Sequence, residues 1–313
     1  MFKKRLVLVA VLVLILSLAL PASGQAQDEQ KVFYWISHGL PADPVWVLFL
    51  QGAEQFAEDT GFEVRTSFHS GDVASQQEAV RAAIAAGATG IVTSTPDPGA
   101  LTEVIAEAHA AEIPVIIMNT EDKTSGRDAY VGGDNFVIAR NWAQYLVDNG
   151  HVTEGSRVWC PVEVPGATYQ VNEVEGINSV FGPLGIECEI TDATLDQAEI
   201  ITRMSDFLTA NREDIDAIIG LGDLVTGSIK RVFDQVGVAP GEIPVVGWGN
   251  SLDTAQEVID GYVLAATWQD PLGTSYLALS QAMMAASGIP PSDIILGTMY
   301  EADNAPYYLG LME

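Results

Sequence analysis

The sequence predicts an α/β fold of two doubly wound parallel-sheet lobes, and three observations carry that reading. Short apolar, β-branched runs alternate with helical segments of about 10–15 residues, the pattern of strands joined by crossover helices. The alternation fills five strand positions and then five more, with no low-complexity linker between the two runs. The chain has 313 residues, long enough for two hydrophobic cores.

Residues 1–26 precede the first strand and have the order of a secretory signal. Lys3, Lys4 and Arg5 are followed by an apolar stretch over 6–20 and a small, polar segment ending Ser23-Gly24-Gln25-Ala26. The apolar stretch is shorter than the roughly 20 residues a membrane span needs. Export with cleavage near residue 26, to a periplasmic or other extracytoplasmic compartment, is the expectation.

The first run opens with an aromatic and β-branched strand over 32–37, a Gly/Pro loop and a helix over 44–59. A strand over 62–68 follows, then an amphipathic helix over 73–86 with Val73, Val80 and Ile84 on one stripe and Gly87 as its stop. Strands over 91–94, 115–118 and 129–131 and helices over 98–111 and 135–149 complete the run. The second run places strands near 157–162, 186–190, 215–219, 244–248 and 263–267. Its helices fall near 169–181, 197–210, 223–236 and 252–260. A helix over 271–287 and the tail 294–313 lie beyond that run's fifth strand, so they are expected to cross back to the first lobe and return. The expected division is 27–133 plus about 270–296 for one lobe and 134–269 plus about 297–313 for the other.

A formal charge of −28, from 42 acidic and 14 basic residues, repels nucleic acid and anionic membrane. It reads as a solvated acidic surface, or as attraction for a cationic ligand, and charge alone does not choose. Cys160 and Cys188 fall on strands expected to be neighbours. An exported chain can keep a disulfide there, or two buried thiols, depending on whether both side chains share a face.

In open α/β sheets ligands bind beyond the carboxyl ends of the strands. Here those ends carry Asp43-Pro44, Asp97-Pro98, Asn119, Asp134-Asn135, Asp223, Trp248-Gly249-Asn250 and Trp268-Gln269-Asp270-Pro271. Asp-Pro also starts helices, and for Asp97 and Asp270 capping is the favoured reading. Asp43 is more open, because His38 precedes it in the Gly/Pro loop and Trp46 follows within one turn. An aromatic ring beside carboxylate and amide groups suits a sugar: the ring covers C–H faces while Asp, Asn and Gln meet hydroxyls. Trp46, Trp248, Trp268 and Tyr169 are candidates for the ring, with ordinary packing the alternative for each alone. Catalytic signatures are weak. The sequence has no Gly-x-Ser-x-Gly, His-Glu-x-x-His or Cys-x-x-Cys. Gly220-Leu221-Gly222 lacks the third glycine of a dinucleotide site, where Val225 stands. His38, His69, His109 and His151 are scattered, and neither a metal cluster nor a cofactor is indicated.

Five segments together resemble the periplasmic sugar-binding proteins of ABC importers, the ribose/galactose-type group, over essentially all of the chain beyond the signal. They are Ala42-Asp43-Pro44-Val45-Trp46 with Gly52-Ala53, Ile113-Pro114-Val115-Ile116 ending at Asn119, and Gly133-Asp134-Asn135. The other two are Pro244-Val245-Val246-Gly247-Trp248, and Gly261-Tyr262-Val263-Leu264-Ala265-Ala266-Thr267 before Gln269. The resemblance implies the periplasmic binding protein type I fold: two lobes joined by a three-crossing hinge near 133–135, 268–270 and 296–299, closing over one small sugar. It also implies polar contacts from Asp43, Asn119, Asn135 and Gln269 and a stacking ring from Trp46. The chain departs from the ribose-type pattern at Asn119-Thr120 in place of Asp-Arg, at Gly222 in place of Asn, and at Gly249-Asn250 in place of Asp. It also lacks an Arg across 168–173. Without two ribose-clamping charges, a different pentose, a hexose or a polyol is the expected ligand.

The reading is of an exported solute-binding protein, not an enzyme. It captures a small neutral sugar or polyol and delivers it to an ABC permease as a monomer. The expected ligand contacts are His38, Asp43, Trp46, Asn119, Asn135, Tyr169, Asn172, Trp248, Asn250 and Gln269. Two alternatives stand beside it: a partner of a chemoreceptor or sensor kinase, and a secreted glycoside-processing enzyme using Asp43 or Glu173 as acid/base.

Overall fold

The computed structural model describes residues 31–94, 97 and 99–312. The expected export signal over 1–26 lies outside the described residues. The chain begins with β1 (Val32–Ser37), α1 (Pro44–Thr60), β2 (Glu63–Phe68), α2 (Val73–Ala85), β3 (Gly90–Thr93), α3 (Thr102–Ala110), β4 (Val115–Met118) and β5 (Ala129–Gly133). It continues through α4 (Asn135–Asp148), β6 (Arg157–Val162), α5 (Thr168–Phe181), β7 (Glu187–Asp192), α6 (Gln197–Asn211) and β8 (Ala217–Gly220). Next come α7 (Asp223–Thr226), α8 (Ile229–Val236), β9 (Val245–Trp248), α9 (Leu252–Ile259) and β10 (Ala265–Trp268). The last elements are α10 (Pro271–Ala286), β11 (Ile294–Leu296), β12 (Thr298–Glu301) and α11 (Ala305–Met312).

Two six-stranded sheets result, ordered β11-β5-β4-β3-β1-β2 and β12-β10-β9-β8-β6-β7. The two orders are one pattern used twice, each with a sixth strand drawn from the tail. All strand pairs are parallel except β12 on β10. Helices cover both faces of each sheet, which is why β3, β4, β8, β9 and β10 are buried along their whole length. On the first sheet, Trp46, Phe49, Ala53 and Phe56 of α1 pack with Ala278, Leu279 and Ala282 of α10 over Phe33 and Trp35. The opposite face takes Val80 of α2 and Val104, Ile105 and Ala108 of α3. On the second sheet, Ile138 and Trp142 of α4 join Ile177 and Phe181 of α5 on one face. Residues of α6, α8, α9 and α11 fill the other.

The chain passes between the two sheets at three places. One follows Gly133 at the end of β5, one follows Trp268 at the end of β10, and one is Gly297, the residue between β11 and β12. Leu296 pairs with Gly133 in the first sheet and Thr298 pairs with Trp268 in the second. Gly297 has φ +135, and a Cβ there would lie 3.1 Å from Ile138 Cδ1. Only glycine takes that backbone without strain.

Three details refine the sequence reading. The helix expected over 98–111 begins at Thr102, because Gly99 turns with φ +76 and its N–H donates to Asp122 (2.8 Å). The helix expected over 223–236 is two helices, parted at Gly227, where a Cβ would stand 3.0 Å from the Thr254 hydroxyl. Cys160 and Cys188 form a disulfide, with Cα atoms 5.8 Å apart. The register aligns Cys160 with Ile190 and Val158 with Cys188. A stagger of two residues keeps both cysteines on one face, and the alternative of two thiols falls away.

Candidate functional site

Each sheet has a switch point, between β1 and β3 in the first and between β6 and β8 in the second, where successive crossovers leave in opposite directions. Groups beyond the carboxyl ends of those strands are free to face a ligand. At the first switch point stand His38, directly after β1, and Ser94, directly after β3. His38 Nδ1 lies 2.8 Å from Ser94 Oγ, and the His38 N–H donates to the same hydroxyl at 3.3 Å. Gln76 of α2 fixes that strand end from behind, donating to Thr93 Oγ1 (3.0 Å) and to the Ser94 carbonyl. Burial pushes His38 down to about 4, so its ring is uncharged at neutral pH. Asp43 caps α1, accepting from the Val45 N–H (3.1 Å), and burial raises its carboxyl above the ordinary range.

The second switch point is carboxyl-rich. Glu163, directly after β6, is buried and accepts from the Leu224 N–H (2.9 Å) and Val225 N–H (3.3 Å) of α7. Burial, with Asp223 close by, pushes it up to about 7. Gly222 makes this approach possible, since a Cβ on it would enter the Glu163 carboxylate. Asp223 accepts from the Asn250 N–H (2.6 Å) and is lifted to about 6 by burial, with Asp43 and Asp253 adding repulsion. Asp43, beyond the first sheet, is thus among the charges felt by Asp223, beyond the second. Glu173 of α5 is fully buried and accepts from the Trp248 indole N–H (2.9 Å), while its Oε2 has no hydrogen-bond partner. Burial, and after it Glu163, drive the Glu173 carboxyl well above its usual range. Tyr169 is hydrogen-bonded to Glu163 and also feels the Glu173 charge, and burial raises its phenol.

The crossings supply the remaining groups. Asn119 follows β4 with φ +66; its N–H donates to the Val131 carbonyl (3.0 Å), and its own carbonyl accepts from Tyr130 (2.6 Å). Tyr130 Oη also lies 2.8 Å from the Gly133 carbonyl, tying β4 to the first crossing. Asn135 is the half-buried first residue of α4. Gln269 is half-buried at the second crossing, and its N–H donates to Asn250 Oδ1 (2.9 Å). Asn250 therefore stitches the end of β9 both to Asp223 and to the crossing.

The expected contacts thus divide by environment. His38, Asp43, Asn119, Asn135, Tyr169, Asn172 and Gln269 are half-buried at strand ends, helix starts or crossings. The Trp46 ring is only 6% exposed, lying on the Gly39 backbone with its centroid 4.9 Å from His38 and 4.7 Å from Phe49. Trp248 is 7% exposed, edge-on to Trp142 at 5.3 Å and engaged by Glu173. Asn250 is buried and occupied as described. Sequence reasoning does not select Glu163 or Ser94, although both directly follow apolar strands, which is the signal that finds them. Among the described residues no three His, Cys, Asp or Glu converge as metal ligands, and no helix is long and apolar enough to cross a membrane. The arrangement offers hydroxyl and amide donors together with carboxyl groups that hold protons near neutrality, a hydrogen-bonding surface for a small polar molecule.

Several solved structures share this fold. An ABC transporter solute-binding protein from Burkholderia graminis, in complex with D-arabinose, has 21% identity and a TM-score of 0.78, covering 88% of this chain and 96% of that one. A glucose-galactose binding protein from Geobacillus stearothermophilus has 20% identity and a TM-score of 0.77, covering 89% and 99%. A carbohydrate transporter from Acidothermus cellulolyticus, in complex with myo-inositol, has 19% identity and a TM-score of 0.76, covering 91% and 98%. At these identities the likeness shows the fold. The model of the periplasmic binding protein domain matches residues 33–290, and the chain belongs to that family.

Proposed function

We propose that this chain is an exported solute-binding protein that captures a small hydroxylated solute, a sugar or polyol, and hands it to an ABC permease. A periplasmic binding protein works outside the cytoplasm and binds its solute rather than transforming it. The observation that carries the reading is the pair of switch points, each edged by polar side chains: His38, Asp43 and Ser94 at the first, Glu163, Asp223 and Asn250 at the second. The lobes are 27–133 with about 270–296, and 134–269 with about 297–313. The cleft between them closes by movement at the three crossings, and solute shifts the balance toward the closed form by touching both lobes. Asp43, Asn119, Asn135, Tyr169, Asn172 and Gln269 meet hydroxyls, His38 and Asn250 hold the walls, and Trp46 and Trp248 supply ring surface. Residues 1–26 act as a cleaved signal, and the protein works as a monomer.

Binding is favoured over catalysis by His38. It sits within hydrogen-bond distance of Ser94, yet an imidazole held at about 4 is a poor general base at neutral pH. Solved structures of the same fold hold D-arabinose, D-allose and myo-inositol, which supports a hydroxylated solute. A thermal-shift screen of monosaccharides, polyols and nucleosides tests the reading. A solute that binds only the folded form raises the melting temperature, by about 2.7 kcal/mol of stabilisation at a hundredfold excess over Kd. No rise with any hydroxylated compound would reject it.

A further inference from the structure

Among the described residues, the buried apolar side chains of the first half form two clusters, one on each face of its sheet, with a single exception. Leu48 of α1 is 6% exposed, yet it belongs to a cluster of the second half, with Trp268 of β10, Tyr300 of β12, and Ala305 and Met312 of α11. Its neighbours on the same helix, Trp46, Phe49, Ala53 and Phe56, stay in the core of the first sheet. The approach of α1 to α10 accounts for this placement. A Cβ on Gly52, one turn after Leu48 on the same face, would lie 2.1 Å from the Leu272 carbonyl. With no side chain at Gly52, α1 lies hard against the start of α10. The face that carries Leu48 is thereby held beside the second crossing, where Trp268 ends β10.

Groups beyond the carboxyl ends of both sheets are covered in the same arrangement. Ser94, after β3, and Asn250, after β9, are buried. His38, Asp43, Asp223 and Gln269 are half-buried, and Asp43 is among the charges that Asp223 feels. Strand ends covered in both halves are those of a cleft whose walls are drawn together.

We propose, resting on the two-lobe reading above, that Leu48 is a positioning residue. Seated in the core of the second lobe, it holds the solute-free protein in the closed arrangement, and so sets affinity without touching solute. Because α1 belongs to the first lobe, rotation of the lobes apart withdraws Leu48 from that core. An apolar side chain that leaves water only while the lobes are together stabilises that form alone. Burial of one leucine shifts such an equilibrium about tenfold or more. Apparent affinity scales with the fraction of protein already in the competent form, so this latch tightens the site for any solute it accepts.

Distances between spin labels test this in the purified, solute-free protein. Ala74→Cys at the start of α2 and Ala198→Cys at the start of α6 put labels on exposed positions of the two lobes, with the Cys160–Cys188 bond left intact. The parent should give one main distance. In Leu48→Ala, a form held about ten to one becomes a nearly even mixture, read as a second peak at longer distance. Leu48→Val should show the same longer peak in smaller amount, and it carries the test if Leu48→Ala does not fold. Leu48→Met, which keeps the volume, should leave the single distance in place. Phe49→Leu, acting in the first lobe's own core, should lower the melting temperature without moving the labels. A single unchanged peak in the Leu48 variants, a shift to shorter distance, opening by Leu48→Met as large as by Leu48→Ala, or the same shift in Phe49→Leu would each overturn the inference. The thermal-shift screen decides the solute-binding reading separately. A solute that raises the melting temperature, beside label distances that Leu48→Ala and Leu48→Val do not move, removes the latch alone.

Discussion

Gly222 has room for nothing larger than hydrogen, because the Glu163 carboxyl fills the space where a Cβ would go. Gly222→Ala is expected to lower stability by about 1–3 kcal/mol, as overpacking a filled site does. It should also weaken solute binding by moving Glu163 off the Leu224 and Val225 amides; urea unfolding and titration of the same sample check both. Glu257, away from the cleft on α9, isolates a single carboxyl. It is buried, its Oε2 has no partner, and burial raises it to about 8. The folded protein therefore keeps a proton there that the unfolded chain releases above about pH 4.5, so its contribution to stability falls as pH rises from about 4.5 to about 8 and is fully lost above that. The melting temperature of Glu257→Gln relative to the parent should rise as pH goes from about 4.5 to about 8 and level off above it. At this scale the sequence is legible in part. Asp270 caps its helix as its Asp-Pro context suggests, whereas Asp97, read the same way, does not, because that helix starts at Thr102 with Leu101 before it. Asp43, left open, and Asp134 also cap. Glu163 is not legible. Its environment depends on amides 61 and 62 residues further along the chain, and nothing beside it in sequence says it is buried.

Among the elements, β7 is the outermost strand of the second sheet, with every residue exposed or half-buried, and the Cys160–Cys188 bond fixes it to β6 across 28 residues of chain. Closing a loop of that length in the unfolded state is worth about 3–4 kcal/mol in the chain-entropy model. Reduction is expected to lower the melting temperature by several degrees or more, measured with and without dithiothreitol. It should leave solute affinity nearly intact, since both cysteines lie within their strands and not beyond the carboxyl ends. Periodicity locates nearly every strand and helix because burial on two faces writes continuous apolar runs. It cannot report the pairing register that puts the two cysteines on one face, nor the break at Gly227. At that break a Cβ on Gly227 would meet the hydroxyls of Thr254 and Ser251 at 3.0 and 3.2 Å, neighbours that are distant in sequence.

For the whole molecule, five raised carboxyls shape the response to pH, with Asp43 and Glu173 raised alongside the three that follow. Glu163 (about 7), Asp223 (about 6) and Glu257 (about 8) all bind protons more tightly folded than unfolded, so stability falls as pH rises from about 4.5 to 8. His38, lowered to about 4, acts oppositely between pH 4 and 6.5, because the unfolded chain gains the proton. Above pH 6.5 only the carboxyls remain, and the ligand-free melting temperature should decline steadily from pH 6.5 to 8; a rise over that interval would contradict the assignment. The duplication into two lobes is readable from five strands counted twice, but the strand order is not, and the use of the tail is only partly so, since strands as short as β11 and β12 leave little pattern. Both sheets nonetheless wait for that tail. α10, β11 and β12 all follow residue 270, so while the ribosome is still at work neither half has its sixth strand, and the first lacks the helix over Phe33 and Trp35. A nascent chain built this way stays unfinished until its last segment emerges, which suits the export proposed above, where a chain must stay open before it locks.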